Sequence, residues 1–441
     1  MSPTIFALSS GTGTAGVAVI RASGPAVPAI IAAFGLGPLP PRAAKLANII
    51  DPANGETIDS ALALHFPAPR SYTGEDVLEL HVHGGRAVIA AMLGALSRIK
   101  GCRLAEAGEF TRRAFHNGKL DLTQAEAIAD LVDSETEAQR KQAVHDINKV
   151  KQGRIGDWRE QLIDVMALME ASLDFSDEAD VAADAVNQAR ALVTKLHAEI
   201  AGSLNDDRRG EIMREGFRVV IAGPPNAGKS SLLNALARRD VAIVSPEPGT
   251  TRDVVEARLD LGGYPVIVSD TAGIRADPAG AVEAEGIRRS FAQAGEADLV
   301  IWLIDAGAPQ PAPPQELLDQ GAPLLPILNK ADLGRPADFP HTAAISTTTG
   351  EGLPGLLGLI TEQAKSRLDT GEPPLITTAR QRALVVAAQA SLTAFLAGDP
   401  AHAELRAEDL RQAAQSLGRI SGRVDAEDVL DQVFGSFCIG K

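Results

Sequence analysis

The chain has 441 residues and a formal net charge of −15. This length predicts about two to four domains, each able to bury a core. The acidic balance argues against a surface that coats nucleic acid, so an RNA partner must meet a local basic patch or be held partly by another protein. The two cysteines, Cys102 and Cys438, are too few for a disulfide framework and fit reduced thiols. The first residues do not resemble a signal peptide and no apolar run reaches about 18 residues, so we expect a cytoplasmic protein without a membrane span.

Residues 1–118 are predicted to form a mixed domain of strands and helices. Apolar patterning indicates strands over residues 4–8, 16–21 and 76–83. A GxGxxG pattern over residues 11–16 is similar to a dinucleotide fingerprint, but a β-branched strand follows it where that fingerprint needs a helix. We therefore expect no dinucleotide site there.

Two histidines, His81 and His83, are spaced to lie on one face of a strand. Such a pair could chelate a metal. With no third ligand nearby in the sequence, a packed and hydrogen-bonded pair is the favoured interpretation.

From residue 121 the sequence becomes helical. Thr123 and Glu126 are spaced for a capping box at the start of the first helix. Helical patterning continues to residue 173, breaks near 174–180 and resumes over 187–204. We interpret the charged stretch 205–215 as a linker.

A second helical region follows the Gly-Glu-Pro-Pro stretch at residues 371–374. Helices are predicted over residues 379–396, 407–417 and 426–434. Because neither helical region has another partner, the simplest arrangement is one helical domain into which the intervening α/β segment is inserted.

The stretch 223–230 fits the pattern GxxxxGK[ST] and lies between an apolar strand at 217–222 and a helix that begins near residue 231. In this motif backbone N–H groups surround phosphate oxygens, and the helix N-terminus adds positive potential. Lys229 is positioned to reach the terminal phosphates and Ser230 to hold Mg²⁺. The alternative is a chance glycine-rich turn, which the strand-loop-helix context disfavours.

Further apolar runs at 266–268, 299–304 and 324–328 end in polar loops. The first leads into Asp-Thr-Ala-Gly at 270–273, where an Asp can hold Mg²⁺ through water. The last leads into Asn-Lys-Ala-Asp at 329–332, and the carboxylate of Asp332 can accept two hydrogen bonds from guanine that adenine cannot supply. The ordered motifs predict GTP over ATP.

These motifs and their order resemble those of the MnmE/TrmE family of tRNA-modification GTPases, and the resemblance covers essentially the whole chain. The matching stretches are residues 72–76, 83–85, 108–111, 119–122, 249–253 and the terminal Cys-Ile-Gly-Lys at 438–441. The resemblance implies an α/β P-loop GTPase domain (213–373) inserted in an all-α helical domain (119–212 and 374–441). An α+β tetrahydrofolate-binding and dimerisation domain (1–118) would precede them.

The resemblance also implies a function. The family hydrolyses GTP with potassium activation and adds a carboxymethylaminomethyl or aminomethyl group at C5 of the wobble uridine of certain tRNAs. It would act as a homodimer, joined in a heterotetramer by an MnmG-type FAD protein. The one-carbon unit would come from 5-formyl- or 5,10-methylene-tetrahydrofolate.

Site residues are implied by the same resemblance. The GTP contacts would be Asn226, Ala227, Gly228, Lys229, Ser230, Ser231, Ser245, Pro246, Glu247, Pro248, Gly249, Thr250, Thr251, Asp270, Thr271, Ala272, Gly273, Asn329, Lys330 and Asp332. Among these, the potassium site would be formed by Asn226, Ser245, Glu247 and Thr250, and the magnesium site by Ser230 and Thr251. Lys229 would be catalytic, together with a glutamate outside this set, Glu283.

The catalytic assignment has alternatives. Ile274 follows the Asp-Thr-Ala-Gly stretch, so the glutamine that orients water in many small GTPases is absent there. Glu283 lies in a stretch similar to the family's V-E-x-x-G-I-x-R, with Glu285 as the second candidate. Arg252 and Arg275 could supply an arginine finger if potassium does not supply the positive charge.

Two stretches depart from the family pattern. Ser245 stands where a threonine is common, and Ser-Thr-Thr at 346–348 replaces the usual Ser-Ala-x start of the base-contacting loop. Both leave the corresponding loops to be tested.

For the folate derivative, the resemblance implies contacts from Arg21, Glu79, Lys119 and the terminal Lys441. The tail at 438–441 would fold back, or reach across a dimer, to this site. Cys438 could be a nucleophile or metal ligand, but a small packed residue is the favoured interpretation.

The alternative function is a GTP-regulated switch in ribosome assembly or RNA binding, without modification chemistry. The GTPase motifs cannot distinguish the two. An assembly factor is expected to carry a basic RNA-binding domain, whereas this chain is acidic and ends in Cys-Ile-Gly-Lys.

Overall fold

The computed structural model describes residues 2–11, 13–148, 150–174, 179–243, 256–270, 295–307, 312–334, 343–369, 371–399, 402–424, 427–435 and 437–440. Contacts divide the chain into two compact units. The first combines residues 1–129 with 417–441, and the second contains residues 130–416. The division into three domains expected from the sequence, with the helical one in two segments, stays a prediction.

The described strands form two six-stranded sheets. In chain order they are β1 (Thr4–Leu8), β2 (Ala15–Ser23), β3 (Lys45–Ile50), β4 (Thr57–Phe66), β5 (Val77–Gly84), β6 (Cys102–Leu104), β7 (Phe217–Ala222), β8 (Glu256–Leu261), β9 (Tyr264–Asp270), β10 (Leu299–Asp305), β11 (Leu324–Asn329) and β12 (Ala343–Ala344).

Helices account for most of the remaining described residues. They are α1 (Val27–Ala33), α2 (Arg86–Ser97), α3 (Glu109–His116), α4 (Leu122–Asp133), α5 (Glu137–Ile147), α6 (Val150–Asp174), α7 (Ala179–Leu204), α8 (Arg209–Glu215), α9 (Lys229–Ala237), α10 (Gln315–Leu318), α11 (Leu353–Leu368), α12 (Ala379–Ala397), α13 (Ala403–Ile420) and α14 (Glu427–Gly435), with a 3-10 turn at Ala331–Leu333. Within the described ranges, no helix is long and apolar enough to cross a membrane.

The sheet of the first unit has the order β3-β4-β5-β2-β1-β6. Only β1 and β6 pair in parallel; the other neighbours are antiparallel. One face buries apolar side chains against α1 and α2, including Phe6, Ile20 and Leu80. Because successive strand residues point to opposite faces, the alternate positions form a second face, where Val17 is 56% and Leu46 68% exposed.

The C-terminal tail of the first unit lies against the chain's own N-terminal residues. Ile439 forms an antiparallel bridge with Ala107, and the Ser9 hydroxyl donates to the carbonyl of Gly440 (2.8 Å). Gly440 has a φ of 100° and the carbonyl of Leu8 occupies the space that a Cβ would need. A glycine is therefore required for this close approach. The tail thus packs against Ser9 and Ala107, and its role at a folate site stays a prediction.

The sheet of the second unit has the order β12-β11-β10-β7-β9-β8 and is parallel except for the β8–β9 hairpin. Its central strands are buried on both faces: Val219 and Ile301 belong to one core cluster, and Val300 and Trp302 to the other. Continuous apolar runs such as β10 are typical of strands covered on both sides. The carboxyl ends of β7, β9, β10 and β11 consequently lie at one edge, where ligands bind in open parallel sheets.

Helices on both sides of the nucleotide-binding segment pack together in the second unit. His197 of α7 is 3.0 Å from the Thr393 hydroxyl of α12, and Arg190 donates to the carbonyl of Leu396 (2.6 Å). This packing is compatible with the predicted insertion.

A cluster of charges joins α8 to α12 just before β7. The carboxylate of Glu211, 2% exposed, accepts from Nε of Arg208 (2.5 Å) and Nε of Arg382 (2.6 Å). Arg382 also donates to Asp206 (2.7 Å). Burial by itself raises the pKa of Glu211, but the hydrogen bonds from the two arginines hold that pKa below its ordinary value.

Three local predictions were wrong. Residues 209–215 form α8 instead of a linker, because α8 has tertiary partners such as Arg382 that its charged sequence conceals. The capping pair of α4 is Asp121 and Gln124: the Asp121 carboxylate accepts from the Gln124 backbone N–H (2.8 Å), and the Gln124 side chain accepts from the Asp121 N–H (3.2 Å). α7 begins at Ala179, eight residues before the predicted start at 187.

Candidate functional site: the phosphate loop and the N-terminal sheet

The phosphate loop connects β7 to α9 at the ligand-binding edge of the second sheet. Asn226 has a φ of 62°, a left-handed conformation that asparagine tolerates better than most residues. The Asn226 side chain is exposed. The Lys229 ammonium lies inside the loop and donates to the carbonyls of Gly223 (2.9 Å) and Pro224 (3.1 Å).

Gly228 and Asn329 fasten the phosphate loop to the end of β11. The Asn329 side chain is fully buried and donates to the carbonyl of Ala227 (2.8 Å). Its Oδ1 accepts a long bond from the N–H of Thr347 (3.4 Å). Gly228 has a φ of 95°, and Nδ2 of Asn329 fills the position of the missing Cβ. Asn329 thus connects the phosphate-binding loop to the loops expected to hold guanine.

Ser230 and Asp270 meet at the start of α9. The Ser230 hydroxyl donates to Oδ2 of Asp270 (2.5 Å), and Asp270 is 3% exposed. A hydroxyl beside a carboxylate at a phosphate loop is a donor set that suits Mg²⁺, which prefers oxygen ligands. The sequence placed both residues near Mg²⁺ but did not predict this direct hydrogen bond between segments 40 positions apart.

Burial and Asp270 act in opposite directions on the pKa of Lys229. Burial lowers the pKa of the Lys229 ammonium, and the charge of Asp270 acts in the opposite direction. The Lys229 ammonium is therefore partly desolvated. An anionic phosphate beside it would stabilise its positive charge.

Lys330 and Asp332 lie at the carboxyl end of β11. Lys330 has a φ of 61° and donates to Oδ2 of Asp305 (2.6 Å). This hydrogen bond lowers the pKa of Asp305. Asp332 lies in the 3-10 turn and is exposed. The pairing of Lys330 with Asp305 was not predicted, although Asp305 ends the strand next to β11.

Several predicted residues lie outside the described ranges. They are Ser245, Pro246, Glu247, Pro248, Gly249, Thr250, Thr251, Arg252, Thr271, Ala272, Gly273, Ile274, Arg275, Glu283, Glu285 and Lys441. Ala227 is buried and Ser231 belongs to α9.

A second cluster lies on the face of the N-terminal sheet opposite α1 and α2, where Phe110 and Tyr72 cover β1. Arg21 of β2 pairs with Glu79 of β5 through Nε and Oε1 (2.9 Å), as their cross-strand register dictates. The guanidinium carbon of Arg21 lies over two aromatic rings, 5.5 Å from the ring centroid of Tyr72 and 5.7 Å from that of Phe110. The Tyr72 hydroxyl is 2.8 Å from the Thr111 hydroxyl, and burial raises the pKa of Tyr72.

The sequence identified Arg21 and Glu79 but missed the two aromatic partners. Tyr72 lies in one of the stretches that carry the family resemblance, which was the available signal. Lys119 is exposed and, in the described part of the chain, forms no hydrogen bond or ion pair with Arg21 or Glu79.

The two histidines of β5 have different environments. His83 is 2.8 Å from Oδ1 of Asp59 and its side chain is 70% exposed. His81 Nε2 lies 3.6 Å from Oε2 of Glu79. Among the described residues, no group of three His, Cys, Asp or Glu side chains could hold a metal.

Cys438 is exposed, so the prediction that it is a packed residue was wrong. The tail is held through the backbone of its neighbours: Ile439 forms a bridge and Gly440 accepts a hydrogen bond. A main-chain attachment of this kind leaves the Cys438 side chain unburied.

Comparisons with known proteins cover the whole chain. A family model for the MnmE helical domain matches residues 122–438, and one for the GTP-binding protein TrmE N-terminus matches residues 4–119. The tRNA modification GTPase MnmE of Parvibaculum lavamentivorans is 50% identical over 99% of this chain and 100% of its own. Its counterpart in Rhodopseudomonas palustris is 48% identical over 99% of both chains.

A solved structure, the G domain of the T. maritima FeoB iron transporter, shares 27% identity over 33% of this chain and 98% of its own, with a TM-score of 0.24. A score this low carries no weight, so the class rests on the geometry above and on the relatives.

The strand order, the phosphate loop and the Asn329 link to it define a P-loop GTPase. With full-length relatives at about half identity and family models over both parts of the chain, this protein belongs to the MnmE/TrmE family. It is a GTP hydrolase involved in tRNA modification.

Proposed function

We propose that this protein is a potassium-activated GTPase that modifies the wobble uridine of certain tRNAs at C5, adding a carboxymethylaminomethyl or aminomethyl group. The observation that carries the proposal is the coexistence, in one chain of this family, of the fastened phosphate loop and the Arg21–Glu79 cluster. One could drive hydrolysis, and the other could hold a one-carbon carrier.

For hydrolysis, the phosphate loop uses its own charges. Lys229 exchanges its carbonyl partners for phosphate oxygens, which are stronger acceptors for an ammonium. Ser230 and Thr251 would hold Mg²⁺, with Asp270 beside Ser230. Mg²⁺ supplies stabilisation of the charge that develops on the phosphoryl group.

Positive charge at the transition state is assigned to potassium. Asn226 supports this assignment because its side chain is exposed on the loop and can contribute an amide oxygen. Ser245, Glu247 and Thr250 complete the potassium set, and Glu283 orients the attacking water. Arg252 and Arg275 are the alternatives for the positive charge.

Recognition of guanine is assigned to the loops after β11. Asn329 keeps them in register with the phosphate loop, and Asp332 accepts from the guanine N–H groups. The exposed position of Asp332 leaves its carboxylate accessible to a base.

A tetrahydrofolate derivative is assigned to the face of the N-terminal sheet opposite α1 and α2. The residues fit such a ligand: Glu79 is a carboxylate that can accept from pterin N–H groups, and the rings of Tyr72 and Phe110 keep Arg21 in place. Arg21 and Lys119 would meet its carboxylates or ring carbonyl, and Lys441 would be a further contact. When bound, the folate supplies the one-carbon unit.

Homodimerisation is assigned to the same face. Val17, Leu46 and Leu62 are 56%, 68% and 40% exposed, an apolar surface that a second copy of the chain would cover. The partners would be tRNA and an MnmG-type FAD protein in a heterotetramer. A tRNA substrate favours the cytoplasm.

The test is a mass-spectrometric inventory of wobble uridines in cells that lack the protein. We expect the C5 modification to disappear and to return with the intact gene, but not with Lys229→Ala. A full set of modified uridines in the deleted cells would contradict the proposal.

The cation assignment has its own test. Hydrolysis should be much faster in KCl than in NaCl at equal ionic strength, and Asn226→Ala should remove the difference. Equal rates in both salts would return Arg252 and Arg275 to consideration.

A further inference from the structure

His81 carries a polar atom that the structure leaves without a partner. Its Nε2 is shielded from solvent, yet no described residue forms a hydrogen bond with it. Oε2 of Glu79 lies 3.6 Å from it, beyond hydrogen-bonding distance. An unpaired buried polar group destabilises the fold, so this arrangement calls for an explanation.

The cross-strand neighbours of His81 in the described sheet are apolar. The strand register pairs His81 with Val19 of β2 and Leu62 of β4. Glu79 and His83 lie two residues away on the same face of β5, and His83 is already bonded to Asp59. The ring of His81 therefore faces one ionisable neighbour that it can reach, Glu79.

Among the described residues, only one oxygen of the Glu79 carboxylate has a hydrogen-bond donor. Its Oε1 accepts from Arg21, while Oε2 has only the long approach from His81. Each carboxylate oxygen can accept two hydrogen bonds. If Arg21 held one oxygen and His81 the other, one site on each oxygen would remain for two parallel N–H donors, as a pterin ring presents.

We propose that His81 is a positioning residue for Glu79: its Nε2–H closes onto Oε2 when a ligand with adjacent N–H groups engages the carboxylate. The proposal rests on the folate assignment above. His81 orients the acceptor, and it does not touch the reacting carbon.

The experiment is calorimetric titration of the intact protein with 5-formyltetrahydrofolate. His81→Ala should bind roughly 10- to 100-fold more weakly, the range for a lost hydrogen bond to a charged group. His81→Gln keeps an N–H donor near the position of Nε2 and should bind within about threefold of the unaltered protein. This rescue separates a donor role from simple packing.

His83→Ala is the matched control. His83 lies on the same strand face, but its ring is hydrogen-bonded to Asp59 and its side chain is mostly exposed. Its removal should therefore leave folate affinity unchanged. GTP hydrolysis should be unaltered in all three variants, which shows that each is folded.

Unchanged affinity in His81→Ala, or equal losses in His81→Ala and His81→Gln, would overturn the role of His81 while leaving the folate assignment intact. Equal losses in His81→Ala and His83→Ala would also overturn it, because the effect would then belong to the whole face. Absence of binding by the unaltered protein would overturn the folate assignment itself and this proposal with it.

Discussion

Replacing Asn329 by alanine should weaken nucleotide binding without changing which base is preferred. The buried side chain donates to the carbonyl of Ala227 at 2.8 Å and accepts from Thr347 at 3.4 Å. The first bond contributes about 1 kcal/mol and the longer one less, and a buried carbonyl left unpaired costs about 1 kcal/mol more. The sum of about 2 kcal/mol corresponds to roughly 30-fold in affinity.

The assay compares GTP with ITP, which lacks the guanine 2-amino group. Asn329→Ala removes a link between the loops, so it should weaken both nucleotides by the same factor. Asp332→Ala removes the acceptor for the guanine N1–H and N2–H groups, and GTP should lose more than ITP because ITP offers only one of these donors. The ratio of the two affinities therefore separates loop support from base reading.

Two results would refute this reasoning. If Asn329→Ala left the GTP affinity unchanged, the link to Ala227 would not hold the phosphate loop. If it abolished the preference for GTP over ITP, Asn329 would act on the 2-amino group and the proposed division between Asn329 and Asp332 would be wrong.

Three further predictions concern stability, hydrolysis and the tail. Arg382→Met should lower the free energy of unfolding by about 2 to 4 kcal/mol because it strips a buried carboxylate of a partner, whereas Arg411→Met, in an exposed pair, should cost under about 1 kcal/mol; urea unfolding measures both. The pKa of Glu211 is held low in the fold, so this stabilisation is present above the unfolded pKa of about 4.3 and is lost as the pH falls through the folded pKa; a difference between the proteins that grows in acid would contradict it. Glu283→Ala should lower kcat by about 10- to 1000-fold with little change in GTP affinity, and an unchanged kcat in steady-state assays would exclude Glu283. Deleting residues 438–441 should abolish tRNA modification, assayed by mass spectrometry, and leave GTP hydrolysis nearly intact; equal loss of both would contradict a separate role for the tail.

The sequence alone was sufficient for the nucleotide-binding elements. The strand at 217–222, the loop after it and a helix near residue 231 follow from apolar runs and from a motif whose residues are consecutive; the helix begins two residues earlier, at Lys229. Such motifs act through the backbone conformation of a few neighbouring residues, which local sequence largely sets. The family resemblance was available for the same reason.

Elements that depend on distant partners were harder to predict. The strands β3, β4 and β6 were not predicted, since edge and half-exposed strands need a sheet to define them. The sequence of α8 resembled a linker because it is charged. The Glu211 carboxylate is buried because Arg208 beside it and the distant Arg382 on α12 both donate to it. Side chains separated by many residues cannot be paired from spacing alone.

The functional clusters show the same division. The family resemblance implied Arg21 and Glu79, and a sequence motif indicated Asn329, but only tertiary structure brought Tyr72 and Phe110 to the Arg21 guanidinium. Only tertiary structure left His81 Nε2 beside Glu79 without a hydrogen bond. Local backbone preference determines loops and helices, whereas the pairing of buried polar groups depends on which distant segments the core brings together.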